Sequence, residues 1–291
     1  MSGLLQLVIR LALELETRLV SVERINTYTE LIKKEKSVQK ESNVKQLLMN
    51  GWPTEKRISF RQVSLKYRKN SPLVLDSVSF DIKGGEKFAI VGRTGAGKSS
   101  ITYALFRLVE ICSGSIYIDN IDIQSIHLKI LRSKLSIIPQ DPVIFQRSVR
   151  KNLDPLLKSK DEQLMEILDQ VKLKDKILSF ENGLNEVISE DKFSTGEKQL
   201  LCLARALLHR NKIIVLDEAT SSVDDRTEND IWEIVRNNFH DCTILLIAHR
   251  LQTVLKCDQL IVLQNGKVSV TNETNFVFIV VFVRWMVSYL T

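Results

Sequence analysis

The sequence has few of the residues that build metal or redox centres. Its four cysteines, Cys112, Cys202, Cys242 and Cys257, share no metal or redox spacing, which excludes a zinc ribbon or a dithiol motif. Cys202 lies in an apolar helical run and reads as core, and cysteine usage of this kind suits a reducing cytosol. A secretory leader of the usual form is missing too, because the leucine-rich start carries Arg10, Glu14, Glu16 and Arg18. No uninterrupted apolar stretch reaches the roughly 20 residues that a spanning helix needs. The last such run, Phe276–Leu290, is broken by Arg284, which would cost about 2.5–3.5 kcal/mol at the middle of a bilayer. Neither sign of charge dominates: 41 Lys and Arg against 35 Asp and Glu leave +6. Much of the excess sits around Lys33-Lys34-Glu35-Lys36, which reads as solvated linker, or as a contact for lipid headgroups beside a membrane. No aromatics interleave a basic stripe, so no nucleic-acid partner is expected.

At 44% hydrophobic and 26% charged, the chain can build a core, as one large domain or two modest ones. Its centre is Gly92-Arg93-Thr94-Gly95-Ala96-Gly97-Lys98-Ser99, which reads G-x-x-x-x-G-K-S. The glycines let the backbone curl until several N–H groups face one concavity at a helix N-terminus, which is an anion site. In this motif Lys98 reaches the β- and γ-phosphates and the Ser99 hydroxyl ligates Mg²⁺. The surroundings agree. Lys87–Val91 is an apolar run suited to a buried strand, and Ile101, Ala104, Leu105 and Leu108 keep helical spacing.

Leu4, Leu7, Val8, Leu11, Leu15, Leu19 and Val22 form a stripe that predicts an amphipathic helix over 4–25. A polar linker follows. Ile58–Tyr67 alternates with one slip and predicts a bulged strand, and Val74–Ile82 predicts a second. Tyr67 is either a platform for a nucleotide base or a strand-end aromatic of the core. Ser115–Asp119 and Lys134–Pro139 are further strands, the latter delivering Gln140 to a strand end where α/β folds present ligand-facing groups. Residues 141–193 read as a mostly helical insertion. In it Ser159-Lys160-Asp161-Glu162 forms a capping box before Leu164, Ile167 and Leu168.

Ser194 and Glu197 form a second capping box, opening a helix over Lys198–Leu208. The same small-residue start, Ser194-Thr195-Gly196, also offers N–H groups and a positive dipole end to a phosphate. Lys212–Leu216 is a strand closed by Asp217-Glu218, the pattern that pairs with a P-loop. There Asp217 holds the Mg²⁺ shell, and Glu218 orients or deprotonates the attacking water. Thr243–Ala248 brings His249 to the same sheet edge, as a structural or a catalytic histidine. Gln264-Asn265-Gly266 is an N-G hairpin turn between two strands.

Taken together, the motifs resemble the nucleotide-binding domain of an ABC transporter. Within that family they look like the second cassette of the C subfamily, the multidrug-resistance-associated proteins. The words that carry the resemblance are Ser21-Val22-Glu23-Arg24-Ile25, Val91–Ser100, Ile137-Ile138-Pro139-Gln140-Asp141-Pro142, Arg150-Lys151-Asn152-Leu153-Asp154-Pro155, Gln199–Ala206 and Leu216-Asp217-Glu218-Ala219-Thr220.

The resemblance implies an α/β fold, a P-loop NTPase cassette with a RecA-like core sheet, an antiparallel β-lobe and a helical subdomain near 141–195. Residues 58–270 would be the cassette. Residues 1–29 would be the end of the last transmembrane-domain helix, 30–57 the linker, and 271–291 an apolar tail that inherits nothing. ATP and Mg²⁺ would lie on Gly92, Arg93, Thr94, Gly95, Ala96, Gly97, Lys98, Ser99 and Ser100, with Tyr67 stacked on adenine. Gln140 would sense the γ-phosphate and Mg²⁺ and couple to the membrane domain, and His249 would contact the γ-phosphate. Ser194, Thr195, Gly196 and Glu197 would form the signature, and Asp224 the D-loop aspartate. The partners would be a second cassette, paired head to tail, and transmembrane domains, at the cytosolic face of a membrane.

The signature departs from the family's Leu-Ser-Gly-Gly-Gln, and its Glu197 would set a carboxylate against the opposing phosphates. Two other readings stay open: an ATP-sensing regulatory module of a channel-like complex, or an inactive transporter fragment.

Overall fold

A computed structural model describes residues 2–31, 51–219, 223–248 and 250–273, in two units, Met1–Gln39 and Lys40–Thr291. The described part of the first unit is one helix, α1 (Ser2–Leu31). It runs past both ends of the predicted 4–25, since nothing from Leu4 to Leu31 breaks a helix. The Glu14–Arg18 pair at 3.2 Å supports it from the polar side. No described helix is long and apolar enough to cross a membrane. Most of the predicted linker, and nearly all of the apolar tail, lie outside the described residues.

In the second unit, β1 (Ile58–Leu65) and β2 (Leu75–Ile82) pair antiparallel, and register shifts after Phe60 and Val63 account for the slipped alternation. Next come β3 (Lys87–Val91) and α2 (Lys98–Leu105). Leu108 falls beyond this helix and is exposed, so the helical spacing over-reached by one turn. The strands β4 (Ile111–Ile118) and β5 (Ile121–Asp122) complete a lobe in the order β2-β1-β4-β5. Strand β4 starts at Ile111, not Ser115, because Ile111 pairs with Leu65 of β1. Trp52 is buried against this lobe and its indole N–H donates to the Ile118 carbonyl at 3.3 Å.

After α3 (Leu128–Ser133) comes β6 (Leu135–Ile138). The insertion then holds a short ribbon, β7 (Arg147–Ser148) with β8 (Val187–Ile188), around α4 (Val149–Leu153), α5 (Asp161–Gln170) and α6 (Lys174–Leu178). The capping box predicted at Ser159 does not form. Helix α5 begins at Asp161, with Lys160 at its N-cap and no side-chain cap. The buried Asp154 carboxylate takes the Ser159 N–H at 2.6 Å and its hydroxyl as well, so that hydroxyl is not left for a helix end. An ionised, desolvated carboxylate gains more from these donors than a cap would.

The chain closes with α7 (Thr195–His209), β9 (Ile213–Asp217), α8 (Asp225–Asn238), β10 (Thr243–Ile247), α9 (Leu251–Val254) and the hairpin β11 (Gln259–Gln264) and β12 (Lys267–Glu273). The core sheet has the order β12-β11-β3-β10-β9-β6 and is parallel except for β12. Asn265 and Gly266 both take positive φ, 49° and 76°, as a two-residue hairpin turn of this hand requires. The sheet is buried on both sides, which is why its strands read as apolar runs. Phe88, Ile90, Val215, Leu245 and Ile261 face the β-lobe and α2. Ala89, Val91, Leu216, Leu246 and Val262 face the helical insertion, α7 and α8.

Candidate functional site

The loop between β3 and α2 is shaped by what surrounds it. Gly95 and Gly97 take φ of 80° and 101°, a region side chains resist. A Cβ on Gly92 would stand 2.4 Å from the Leu263 carbonyl oxygen, and one on Gly97 2.8 Å from that of Val74. The β11–β12 turn braces the loop from behind, where the Gly266 N–H donates to the Ala96 carbonyl at 3.1 Å. Arg93, Thr94 and Gly95 are exposed at its tip.

Lys98 is only 5% exposed. Its ammonium donates back to the carbonyls of Gly92 at 2.9 Å and Arg93 at 3.2 Å, across the cup. Burial pushes its pKa below the usual lysine range, while the neighbouring Glu218 and Asp217 carboxylates pull the other way. Ser99 is half-buried in the first turn of α2 and Ser100 is buried. Tyr67 is 48% exposed, so it is not a core aromatic. Its hydroxyl shares a 2.8 Å hydrogen bond with the Ser100 hydroxyl, and its ring lies edge-on to Tyr103 at 6.4 Å. The ring therefore stands beside the first turn of the loop's helix.

The parallel register aligns four strand ends. Ile247 is level with both Ile90 and Asp217, and Ile138 is level with Leu216. Gly92, Asp217, Glu218 and Gln140 thus emerge on one edge of the sheet. Glu218 takes φ of 51°, rare for a residue with a side chain, and its N–H donates to the Ile247 carbonyl at 3.1 Å. Gln140 is exposed. His249 lies outside the described residues, as do 220–222.

The capping box at Ser194 is fully formed. Glu197 Oε2 accepts the Ser194 N–H at 2.7 Å and the Lys176 ammonium at 2.6 Å. Burial pushes the Glu197 carboxyl up, but these two donors outweigh it and hold its pKa below the usual value. Thr195 is exposed, whereas Gly196 is buried against Thr227 of α8. Asp224 caps α8, accepting the Thr227 N–H at 3.1 Å and its hydroxyl at 2.7 Å. Among the described residues, no hydrogen bond or ion pair joins 194–197 to 92–100.

Sequence reasoning passed over Gln199. This residue is 1% exposed, and its amide donates to the Pro139 carbonyl at 3.0 Å and the Gln140 carbonyl at 2.9 Å. The signal was there: one uncharged polar residue in the apolar run Gln199–Ala206. Lys176 was missed as well, and no local pattern marks it.

A protein-family model described as ABC transporter matches residues 75–221. The chain is 47% identical over 271 residues to metal resistance protein YCF1 of Saccharomyces cerevisiae, covering 90% of this chain and 17% of that protein. It is 44% identical over 262 residues to ATP-binding cassette sub-family C member 2 of Homo sapiens, covering 89% of this chain and 17% of that one. The chain thus spans about a sixth of the length of these relatives. Among solved structures it matches a bacterial Atm1-family ABC exporter with ATP bound, at a TM-score of 0.75 and 30% identity, covering 87% of this chain and 44% of that one. The chain is a nucleotide-binding domain of the ABC transporter family, and its relatives belong to the C subfamily.

Proposed function

We propose that this cassette binds MgATP and, within a complete exporter at a membrane, hydrolyses it to drive substrate transport, as the second cassette of its polypeptide. The observation that carries this reading is the row of strand ends. Lys98, Asp217, Glu218 and Gln140 come to one sheet edge, with the glycine cup at its centre.

The donor set fits the nucleotide and its metal. A tightly curled backbone loop, with no room for a Cβ at Gly92 against Leu263 or at Gly97 against Val74, suits phosphate. A serine hydroxyl and a carboxylate are hard oxygen ligands, and Mg²⁺ commonly takes one or two such groups plus phosphate oxygens. Ser99 and Asp217 would hold it, and the ion would supply neutralisation of the phosphate charge. Lys98 would exchange its two carbonyl partners for phosphate oxygens. Glu218, held by a strained backbone at the edge, orients the attacking water and takes its proton. Tyr67 stacks on the base.

That no hydrogen bond or ion pair joins 194–197 to 92–100 among the described residues supports two half-sites per chain. Each ATP would then lie between this loop and the signature of a second cassette. A cleft of about 700 Å³ lined by Pro139, Val143, Leu156 and Arg205 opens beside Gln140, and Val143 and Leu156 are exposed in it. It suits docking of the transmembrane domains, of which residues 1–29 would be the last helix end.

The test is Glu218→Gln. The variant should bind MgATP as the wild type does and lose turnover by about 100-fold or more, the usual scale for a general base. Undiminished hydrolysis would remove Glu218 from the reaction.

A further inference from the structure

At the mouth of α7, one ammonium organises two neighbours. Lys176, on α6, sits 2.6 Å from Glu197 Oε2 and 4.8 Å from the centre of the Phe193 ring. Phe193 is buried and is itself fixed edge-on by Phe180, with ring centres 6.1 Å apart. The ring face attracts the ammonium through its quadrupole and narrows the positions it can take. The Glu197 oxygen that meets Lys176 also accepts the Ser194 N–H that closes the helix mouth. The pair is about 30% exposed on the lysine side and 28% on the glutamate side, so it is only partly screened by water.

Glu197 has two opposed effects. As the third residue of a capping box it satisfies an orphan N–H and suits the helix dipole. As a bare carboxylate at that mouth it would repel a phosphate. With an ammonium 2.6 Å away, the mouth presents a local dipole in place of a net negative charge, and the attraction of the helix N-terminus is left intact.

We propose that Lys176 is a positioning residue of the composite nucleotide site: it cancels the Glu197 charge, and so allows this signature to close on the triphosphate of an opposing cassette. The proposal rests on the two-half-site reading above. Lys176 works through Glu197 and is not itself a phosphate ligand.

The experiment uses the full chain in the Glu218→Gln background, in which bound ATP persists. ATP-driven association of two copies is followed by sedimentation across a range of ATP concentrations. Binding of a fluorescent ATP analogue to the dilute, unassociated chain is measured in parallel. Lys176→Gln should raise the ATP concentration for half-association by about tenfold, the scale of one uncompensated, partly screened charge. It should leave binding to the unassociated chain unchanged. Adding Glu197→Gln should restore association to within about threefold of the parent, since glutamine still completes a capping box. Lys176→Arg should stay within about threefold, because the charge remains.

Association of Lys176→Gln like the parent would overturn the proposal. So would a double variant as weak as Lys176→Gln, which would make the lysine a phosphate ligand in its own right. A parent that binds ATP but never associates would refute closure of the composite site between two copies of this chain, and with it this proposal for that pair.

Discussion

Gly196→Ala tests how closely α7 packs on α8. A Cβ at 196 would stand 2.6 Å from Thr227 Cγ2 and 3.3 Å from Thr227 Cβ, where carbon atoms prefer about 3.5–4.0 Å. Thr227 has little freedom to give way. Its hydroxyl and its N–H are both held by the Asp224 carboxylate, at 2.7 Å and 3.1 Å, and a β-branched side chain in a helix is stiff at χ1. Its methyl can move only by giving up that cap or by shifting one helix. Overpacking of this kind costs about 1–3 kcal/mol, and alanine returns up to about 1 kcal/mol of helix propensity. The net loss should be about 1–2 kcal/mol, read from urea unfolding followed by circular dichroism. Thr227→Ser deletes the clashing methyl but keeps the hydroxyl and the cap, so Gly196→Ala should be much milder in that background. Stability is the deciding quantity, because Gly196 is also a predicted site residue and a loss of activity would have two explanations. A Gly196→Ala chain as stable as wild type, or equal penalties in both backgrounds, would refute the argument.

Two further outcomes follow from single contacts. Tyr67→Phe keeps the half-exposed ring and loses only the hydroxyl bond to Ser100, so ATP affinity in a fluorescent titration should stay within about threefold. Tyr67→Ala should weaken it by about tenfold, the scale of one base stacked on an aromatic ring. Equal losses in the two variants would assign the effect to the hydroxyl and remove the stacking role. The second outcome concerns pH. Glu197 has a folded pKa below its ordinary value of 4.5, so its contribution to stability is present above 4.5 and is lost as pH falls through the folded value. The stability of wild type relative to Glu197→Gln should therefore decline in urea unfolding as pH falls below 4.5. A difference that stays constant with pH would mean that Lys176 and the Ser194 N–H contribute nothing through the charge.

What the sequence revealed was set by the range of each interaction. Ile213–Asp217 and Thr243–Ile247 were legible as strands because burial on both faces makes 213–216 and 244–247 continuously apolar. The G-x-x-x-x-G-K-S loop was legible because its conformational demands fall on adjacent residues. Gln140 and Asp217-Glu218 were legible as strand ends, yet only the register, with Ile247 level with Asp217 and Ile138 level with Leu216, brings them to one edge. Where a distant partner competes, local patterns mislead. Ser159 reads as a cap until Asp154 takes its donors, and the strand predicted from Ser115 starts at Ile111 once β1 pairs with it. Glu197 read as a capping-box acid whose charge would face the opposing phosphates, because its counter-ion lies 21 positions away, on another helix.

The contacts around the site fall into two mechanical groups. The P-loop is tied to the lobe side. Gly97 lies against Val74, Gly92 against Leu263, and the Ala96 carbonyl receives the Gly266 N–H. The predicted signature, residues 194–197, is tied to the other side. Gly196 lies against Thr227, which Asp224 holds, and Gln199 holds the carbonyls of Pro139 and Gln140. The Gln199 side chain is buried, and losing these bonds would leave its amide N–H groups without a partner at about 1–3 kcal/mol. That is several times the thermal energy, so the start of α7 and the Gln140 backbone should move as one piece. Strand β6 joins the groups: Leu135 packs on the lobe side of the sheet and Ile138 on the helical side. Under the proposed function, nucleotide that draws Gln140 toward the P-loop must carry the signature with it. Occupancy of one half-site then changes the geometry that this chain offers to the other.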